Sequence, residues 1–264
     1  MSDLDPDAVL ARLGPERSAV RLVVAESVDS TNERLIRLVA EGTPGGYCLV
    51  ALNQTAGRGR RGRRWLSDSS GSLTFSLLWR FDRKSAQQLS GLTLVVALAV
   101  CRALESLGID GLALKWPNDL LRHGRKVAGI LVELAETSGD DISAVIGIGL
   151  NVSLDDALSD NLPNPAFDLR DAQGHTPARG DVLAAILLDL FPALRQFAKE
   201  GFPPFQAEWL ARSAHHERRI RLALPNHKVE IGICVGLTRE GALLLRQGER
   251  VTPFLTGDVS LRLT

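Results

Sequence analysis

Arginine and glycine dominate one short stretch of the sequence, Gln54 to Trp65, which reads QTAGRGRRGRRW. Its arginines are Arg58, Arg60, Arg61, Arg63 and Arg64, with Gly59 and Gly62 between them. Glycine lets the backbone approach a ligand closely, and guanidinium groups bind phosphate and carboxylate oxygens in pairs. The pattern therefore predicts a loop that wraps an anion, and repulsion among the arginines should keep it open until the anion arrives.

The glycines of this stretch match the G-x-G-x-x-G pattern of dinucleotide-binding proteins at Gly57, Gly59 and Gly62. That fingerprint must open a helix, whereas the residues after this loop are typical of a strand. A strand–loop–strand context suits the glycine loop of protein kinases, but the sequence has no His-Arg-Asp or Asp-Phe-Gly motif and no P-loop. An RNA-binding segment would need more aromatic side chains than Trp65 alone. A solvated basic face is the remaining alternative, and it would leave five arginines without a ligand.

A second cluster combines cations with a carboxylate. Lys115-Trp116-Pro117-Asn118-Asp119 is predicted to form a turn, because Pro117 disfavours a helix at the preceding residue. A hairpin-like return would bring Lys126, at the start of the next strand, close to Lys115 and Asp119. Each residue alone is typical of a surface salt bridge. Combined, they supply what nucleotidyl transfer needs, namely cations that neutralise an α-phosphate and a carboxylate that can hold Mg²⁺.

A third group consists of the polar side chains Ser30, Thr31, Asn32 and Glu33. Ser30 and Glu33 match the S-x-x-E capping box of a helix. A helix N-terminus with small polar side chains also suits a polar ligand group. From the residues alone, helix capping is the favoured interpretation.

The elements that must position these groups alternate between strands and helices. Strands are predicted at 21–25, 47–53, 73–81, 112–115, 127–135 and 142–152, and helices at 5–13, from Ser30 onward, at 85–107, at 181–199 with Asp181 as its cap, and at 205–215. The arginine stretch thus joins two strands. Residues 153–180 are loop-rich, with Pro163, Pro165 and Pro177. From residue 217 onward, short strands and tight turns predict a small barrel.

Composition places the chain among ordinary soluble globular proteins. Its 264 residues include 31 basic and 31 acidic side chains, so the arginine cluster is local and a dedicated nucleic-acid binder is disfavoured. Cys48, Cys101 and Cys234 are far apart, which predicts buried hydrophobic side chains in a reducing compartment. The acidic, polar start is unlike a signal peptide, and the longest apolar run, 92–101, is about half of a membrane span. These features predict a cytoplasmic protein.

With these motifs in this order, the chain resembles the biotin protein ligase family, the biotin–[acetyl-CoA-carboxylase] ligases. The resemblance rests on Asp29 to Asn32, Gln54 to Trp65, Lys115 to Asp119, Gly124 to Glu133 and Gly147 to Val152, and on Gly241 to Arg262, which is similar to the family's SH3-like domain. It implies an α+β fold. Residues 1–215 would form a catalytic domain with a mixed central sheet and flanking helices, like class II synthetases. Residues 216–264 would form a small SH3-like β-barrel.

The resemblance implies a two-step reaction that uses ATP and Mg²⁺ with biotin as substrate. Biotin's carboxylate would attack the α-phosphate of ATP to give biotinyl-5′-adenylate and pyrophosphate. A lysine of a biotin carboxyl carrier protein, from acetyl-CoA carboxylase or another biotin-dependent carboxylase, would then displace AMP. Fewer than thirty residues precede Ser30, too few for the DNA-binding domain of bifunctional members, so we expect no DNA partner and no membrane partner. A homodimer through an exposed sheet edge stays open.

The same resemblance assigns roles to individual residues, and it overrides the capping interpretation of Ser30, although the two roles are compatible. Biotin would contact Ser30, Thr31, Asn32, Gln54, Arg58, Gly59, Arg60 and Lys126. ATP and the adenylate would contact Arg58, Arg60, Arg61, Trp65, Lys115, Asn118, Lys126 and Asn151. Lys126 is expected to be the key catalytic cation, assisted by Arg58, Lys115 and Asp119. Asn118 and Asp119 would hold Mg²⁺, and Asp119 is also a candidate base for the acceptor lysine.

Two alternative functions remain. A lipoate or octanoate ligase or transferase would share the catalytic fold, but the arginine-glycine loop and the C-terminal barrel favour biotin. A nucleic-acid-binding regulator would use the arginines for phosphate contacts, but the neutral net charge and the lack of a reader helix disfavour it.

Overall fold

The structure, a computed structural model, describes residues 3–82, 89–136, 141–154 and 166–261. The strands of the larger sheet are β1 (Arg21–Val28), β2 (Tyr47–Gln54), β3 (Ser72–Asp82), β4 (Leu112–Lys115), β5 (Asp119–Arg122), β6 (Arg125–Glu136) and β7 (Asp141–Asn151). They are ordered β1-β2-β3-β7-β6-β5-β4, with β1 and β2 parallel and the other neighbours antiparallel. The mixed central sheet expected of the α+β fold is therefore confirmed.

Helices cover both faces of this sheet. They are α1 (Pro6–Arg12), α2 (Thr31–Ala40), α3 (Leu92–Ser106), α4 (Arg179–Glu200) and α5 (Pro203–Ala211), with 3-10 turns at Gly14–Ala19 and Arg60–Gly62. Helix α2 packs on one face against Leu49 and Leu78, whereas α3 and α4 pack on the other against Cys48 and Val50. Successive residues of β2 thus point to opposite faces, as a pleated strand requires. A sheet buried on both faces is a rigid platform for the loops at its ends.

The smaller sheet is antiparallel throughout. Its strands are β8 (Arg219–Ala223), β9 (Val229–Leu237), β10 (Leu243–Gln247), β11 (Arg250–Phe254) and β12 (Asp258–Leu261), ordered β11-β10-β9-β8-β12. It agrees with the expected SH3-like domain. Trp116 Nε1 donates a hydrogen bond to Gly241 O at 3.0 Å, and Ser90 Oγ donates to Glu240 O at 2.8 Å, which ties this sheet to the larger domain. The predicted boundary between residues 215 and 216 falls between α5 and β8 and stays a prediction.

Three helices differ from the sequence prediction by two residues or more at their starts, and one of them, α5, covers Pro203–Ala211 rather than 205–215. Helix α3 begins at Leu92 rather than at 85, because Gly91 at φ 90° has left-handed backbone geometry and ends the preceding turn. The predicted residues 85–88, like Pro163, Pro165 and the end of the last strand at 262–263, lie outside the described residues. Asp181 is not a helix cap: it lies in the first turn of α4 and pairs with Arg12 at 2.5 Å, and Ala178 precedes the helix.

The three cysteines are free and buried, as predicted. Burial raises the pKa of Cys48 to about 12, so its thiol is unreactive at neutral pH. In the part of the chain that the structure describes, no helix has the length and apolar character needed to cross a membrane.

Candidate active site

A cleft of about 600 Å³ lies at the ends of β3, β6 and β7, below the arginine stretch. Ligand sites are commonly clefts of roughly 300–1,000 Å³. The lining brings together residues from across the chain: Ser30, Thr31, Asn32, Gln54, Arg58, Gly59, Arg60, Arg63, Arg64, Trp65, Leu66, Thr74, Phe75, Asn118, Asp119, Lys126, Gly129, Ile130, Leu131, Gly147, Ile148, Gly149, Asn151, Ala166 and Asp258. Three separate sequence motifs thus meet in one place.

The arginine stretch forms a short hairpin over this cleft. Gly59 N donates to Arg63 O at 2.7 Å, and Trp65 N donates to Gly57 O at 3.0 Å. Gly57 must be glycine, because a Cβ there would lie 2.5 Å from Trp65 O. We call residues 57–65 the arginine loop. It joins β2 to β3, as predicted.

Acidic and amide partners hold the arginine loop closed. Arg58 pairs with Glu33 of α2 and with Glu133 of β6. Arg60 Nη1 donates to Asn118 Oδ1 at 3.1 Å. Arg61 and Arg63 both pair with Asp258 of the smaller sheet. The expectation that repulsion keeps the loop open differs from this structure, because these partners offset the arginine charges.

Burial lowers the pKa of Arg60. The nearby carboxylate of Asp258 raises this pKa, and the positive charge of Arg61 lowers it. A guanidinium keeps its charge in proteins nevertheless. Arg60 therefore brings a positive charge into a half-buried position on the cleft wall, which strengthens its attraction for an anion.

One end of the cleft, the neutral end, consists of Ser30, Thr31, Asn32, Gln54 and Ser76. Gln54 Oε1 accepts from Thr31 N at 2.8 Å, so a side chain from β2 caps α2. Asn32 Nδ2 donates to Leu131 O at 3.2 Å and to Glu133 Oε2 at 2.8 Å, and Asn32 Oδ1 accepts from Ser76 Oγ at 2.6 Å. Both N–H groups of Asn32 are thus used, so the second lone pair of its oxygen is what this lining residue can still offer, as an acceptor.

The predicted capping box of Ser30 and Glu33 is wrong. Ser30 precedes α2, but its side chain makes no capping hydrogen bond. Asp29 Oδ1 accepts from Ser30 N at 2.7 Å instead, and Glu33 turns to Arg58. The pattern therefore serves the cleft rather than the helix end.

The other end, the charged end, is lined by Asn118, Asp119 and Lys126, and Lys115 pairs with Asp119 from outside the lining. Lys126 Nζ lies 2.6 Å from Asp119 Oδ1, and Lys115 Nζ lies 3.9 Å from Asp119 Oδ2. The predicted hairpin return exists, and it is built by β5, which sequence analysis missed because it has only four residues. Lys126 Nζ also lies 5.6 Å from the ring centroid of Trp65, within cation–π range.

Two glycines of β7 leave room for larger side chains of the cleft. A Cβ on Gly147 would lie 2.2 Å from Asn32 Oδ1, and one on Gly149 would lie 2.4 Å from Trp65 Cε2. Gly147 and Gly149 are two residues apart on one strand, so they face the same side. The absence of side chains at these positions lets Asn32 and Trp65 lie directly on the sheet.

The side chain of Asn151 supports the wall of the cleft by bonding to the backbone of Phe167. Its Nδ2 donates to Phe167 O at 3.1 Å, and Phe167 N donates to Lys126 O at 2.8 Å. The guanidinium of Arg125 lies 4.0 Å from the ring centroid of Phe167. These contacts hold the neighbouring Ala166 in the lining of the cleft.

The structure brings most of the sequence-predicted residues together, but not all. Lys115 and Arg61 are absent from the lining. Lys115 forms an ion pair with Asp119, and Arg61 bonds to Asp258 and Thr256. Their predicted ligand contacts stay predictions, as do the roles of the residues that do line the cleft.

Sequence reasoning missed several residues that complete the cleft. Thr74, Phe75 and Ala166 line it, Ser76 and Glu133 bond to its lining residues, and Asp258 reaches it from the smaller domain. Thr74 and Ser76, polar residues in an otherwise apolar strand, were a usable signal. Asp258 had none, because it is 197 residues from Arg61.

Comparisons with known proteins found relatives in both sequence and fold. Residues 24–151 match the Biotin/lipoate A/B protein ligase family, and residues 215–262 match the biotin protein ligase C-terminal domain. The bifunctional ligase/repressor BirA of Salmonella typhimurium is 36% identical, over 98% of this chain and 78% of that protein. The biotin–[acetyl-CoA-carboxylase] ligase of Paracoccus denitrificans is 34% identical, over 85% of this chain and 95% of that protein. The solved structure of biotin protein ligase from Aquifex aeolicus in complex with biotin and ATP superposes with a TM-score of 0.77 and 33% identity, over 92% of this chain and 99% of that one.

The fold and these relatives thus define a protein ligase, and the two-ended cleft is its candidate active site. More narrowly, the chain belongs to the biotin protein ligase family. The resemblance inferred from the motifs and the expected enzyme class, biotin–[acetyl-CoA-carboxylase] ligase, are confirmed by these relatives.

Proposed function

We propose that this protein activates biotin with ATP and transfers the biotinyl group to a lysine of a carrier protein. The observation that carries the proposal is the arrangement of one cleft with a buried neutral end and a cationic end under an arginine loop. Biotin has a neutral ureido ring and a carboxylate, so it matches the two ends in that order. The biotin protein ligase from Aquifex aeolicus was solved in complex with biotin and ATP, which supports this pair of ligands.

The neutral end suits the ureido ring. Asn32 Oδ1 offers an acceptor for a ring N–H, because both N–H groups of Asn32 are already bonded to protein. Gln54 uses its Oε1 on Thr31 N, so its Nε2 is available as a donor to a carbonyl oxygen. Pre-formed bonds of this kind reduce the ordering that a ligand must impose on binding.

The charged end suits the first reaction step. A carboxylate oxygen of biotin forms a bond to the α-phosphorus of ATP, while the bond from that phosphorus to the bridging oxygen of pyrophosphate breaks. Lys126 and Arg60 would neutralise the charge that develops on the α-phosphate oxygens. To do so, Lys126 must exchange its contact with Asp119 for one with phosphate.

In the second step the acceptor lysine nitrogen bonds to the acyl carbon and the carbon–oxygen bond to AMP breaks. The arginine loop would retain the adenylate and exclude water until then, since an acyl adenylate hydrolyses readily. Asp119 stays the candidate base for the acceptor lysine. Carriers of biotin-dependent carboxylases are the proposed partners, including the acetyl-CoA carboxylase subunit, and a homodimer stays a proposal as well.

The prediction that Asn118 and Asp119 hold Mg²⁺ stays a prediction. Both carboxylate oxygens of Asp119 face lysine ammonium groups, and Asn118 Oδ1 accepts from Arg60. Within the described residues, no three acidic, histidine or cysteine side chains cluster in a way that would hold a metal ion. Asn118 and Asp119 could hold Mg²⁺ only after Arg60 and the lysines exchange these contacts for phosphate, as the first step requires of Lys126.

Biotin-dependent exchange of pyrophosphate into ATP tests the first half-reaction. The protein should support exchange with biotin and not with lipoate or octanoate at equal concentration. Exchange with lipoate would favour the lipoate-ligase alternative, and no exchange with any acid would contradict the proposal. Transfer of biotin to a carrier domain, but not to the same domain with its target lysine changed to alanine, would establish the second half-reaction.

A further inference from the structure

Glu133 makes contacts that no role assigned above requires. It lies on β6, its side chain is 23% exposed, and it is not part of the cleft lining. Its two carboxylate oxygens bond in different directions. Oε1 lies 3.2 Å from Arg58 Nη2, and Oε2 accepts from Asn32 Nδ2 at 2.8 Å.

These two contacts join parts of the molecule that are far apart in sequence. Arg58 belongs to the arginine loop and Asn32 to the first turn of α2. The hydrogen-bond network continues from Asn32 through Ser76 to Thr31 and Gln54, so the neutral end except Ser30 is connected to Glu133. Glu33 also pairs with Arg58, but it has no contact with Asn32 among the hydrogen bonds of the described residues.

We propose that Glu133 is a positioning residue that couples closure of the arginine loop to the neutral end of the cleft, one oxygen holding Arg58 and the other holding the Asn32 amide. The inference rests on the proposed function. Charge-assisted hydrogen bonds are stronger than neutral ones, so Glu133 fixes the Asn32 amide with its oxygen toward the ligand. The same carboxylate holds the loop that covers that ligand.

The test compares three variants of the full chain. Glu133→Gln keeps an acceptor for Asn32 but loses the charge that attracts Arg58. Glu133→Ala loses both contacts. Glu33→Gln is the matched control, because it also removes one ion pair of Arg58 but leaves Asn32 untouched. The measurements are the dissociation constant for biotin by calorimetry and the lifetime of the bound adenylate in a chase with unlabelled biotin.

All three variants should shorten the adenylate lifetime several-fold. Only Glu133→Ala should also weaken biotin binding, by roughly tenfold, which is the size of one lost charge-assisted bond. An unchanged biotin affinity in folded Glu133→Ala, or an unchanged lifetime in Glu133→Gln, would overturn the inference. A biotin affinity that falls equally in Glu33→Gln would also overturn it.

A folding defect in Glu133→Ala would be seen as a lower melting temperature. If Glu133→Ala does not fold, as judged by thermal melting, the adenylate lifetime of Glu133→Gln decides alone. The double variant Glu33→Gln/Glu133→Gln should then match Arg58→Gln in lifetime. Failure of the proposed function is distinguishable, because it would show as a lack of biotin binding in the unaltered protein.

Discussion

The two ends of the cleft solve different problems. At the neutral end Ser30, Thr31, Asn32 and Ser76 are almost fully buried, with Asn32 3% exposed and Ser76 fully buried, and Asn32 and Ser76 bond to each other. At the charged end Lys126 is 35% exposed and Lys115 is 29% exposed, and each is paired with Asp119. The neutral end is therefore fixed, whereas the charged end must exchange one partner for another.

This difference separates recognition from reaction. A buried polar site rejects ligands that leave its groups unpaired, so the neutral end should set which acid binds. Cations that form stronger contacts with the developing charge than with the ground state lower the barrier, so the charged end should set the rate. Variants at the two ends should consequently differ in which quantity they change.

The largest effect is expected for Lys126→Met. Loss of this ammonium group should slow adenylate formation by about 10²–10³-fold, the size typical of removing one group that stabilises transition-state charge. Pyrophosphate exchange measures the rate. Biotin affinity without ATP should change much less. Lys228→Met is the control: this exposed lysine lies in the connection between β8 and β9, and its loss should leave the exchange rate unchanged. A loss below about tenfold would remove Lys126 from its proposed role.

Gly147→Ala should disturb the neutral end of the cleft and weaken biotin binding. Its Cβ would lie 2.2 Å from Asn32 Oδ1, and Asn32 cannot move away without breaking bonds to Leu131 and Glu133. We expect a roughly 10–100-fold weaker affinity for biotin, corresponding to about 1–3 kcal/mol for polar groups left unpaired. Calorimetry measures it.

Gly149→Ala is the matched contrast on the same strand. It displaces Trp65, beside Lys126, instead of Asn32. It should therefore reduce the adenylation rate more than biotin affinity. Equal effects of the two alanine variants on both quantities would contradict the division of the cleft.

The same division explains how much could be predicted from the sequence. Local patterns located every strand except β5, the arginine loop and the pairing of Lys126 with Asp119, because these depend on neighbours in the chain or on a single hairpin. The S-x-x-E pattern at Ser30 misled, because Asp29 takes the Ser30 N–H and Arg58 takes the Glu33 carboxylate that a capping box would pair. Local propensity does not include such distant partners.

Residues that meet only in the folded chain were beyond sequence reasoning. Glu133 was visible as part of a motif, but its contact with Asn32 spans 101 positions. Asp258 reaches the arginine loop only because the smaller sheet docks against Gly91 and Trp116. The resemblance to a family supplied the chemistry of the cleft, and the structure supplied the bonds that hold it in place.

Two loop arginines should differ in the same way as the two ends. Arg58→Gly removes the contact with Glu33 and Glu133, so we expect the adenylate to escape about tenfold faster and to label lysines of a bystander protein. Arg60→Gly removes a different contact, the one with Asn118 at the charged end. We therefore expect Arg60→Gly to slow adenylate formation in addition to letting the adenylate escape. Chase experiments measure escape, and pyrophosphate exchange measures formation. Normal retention of the adenylate by Arg58→Gly would sink the assignment of Arg58.

The smallest effect is expected for Asp258→Asn, which tests whether the smaller domain contributes to the charged end. This change frees Arg61 and Arg63, whose ion pairs with Asp258 are partly exposed. Such pairs contribute about 0–1 kcal/mol each, so kcat/KM for ATP should fall by only about two- to fivefold. Biotin affinity should stay the same, because the neutral end has no contact with Asp258 among the hydrogen bonds of the described residues.

Salt sharpens this last comparison. Screening weakens exposed pairs, so the difference between the unaltered protein and Asp258→Asn should shrink as ionic strength rises toward 1 M. Glu249→Gln, an exposed carboxylate on the same domain, is the control and should change neither value. If Asp258→Asn instead weakened biotin binding, the arginine loop would act on the neutral end through the smaller domain. The separation between recognition and reaction would then fail at the loop that spans both.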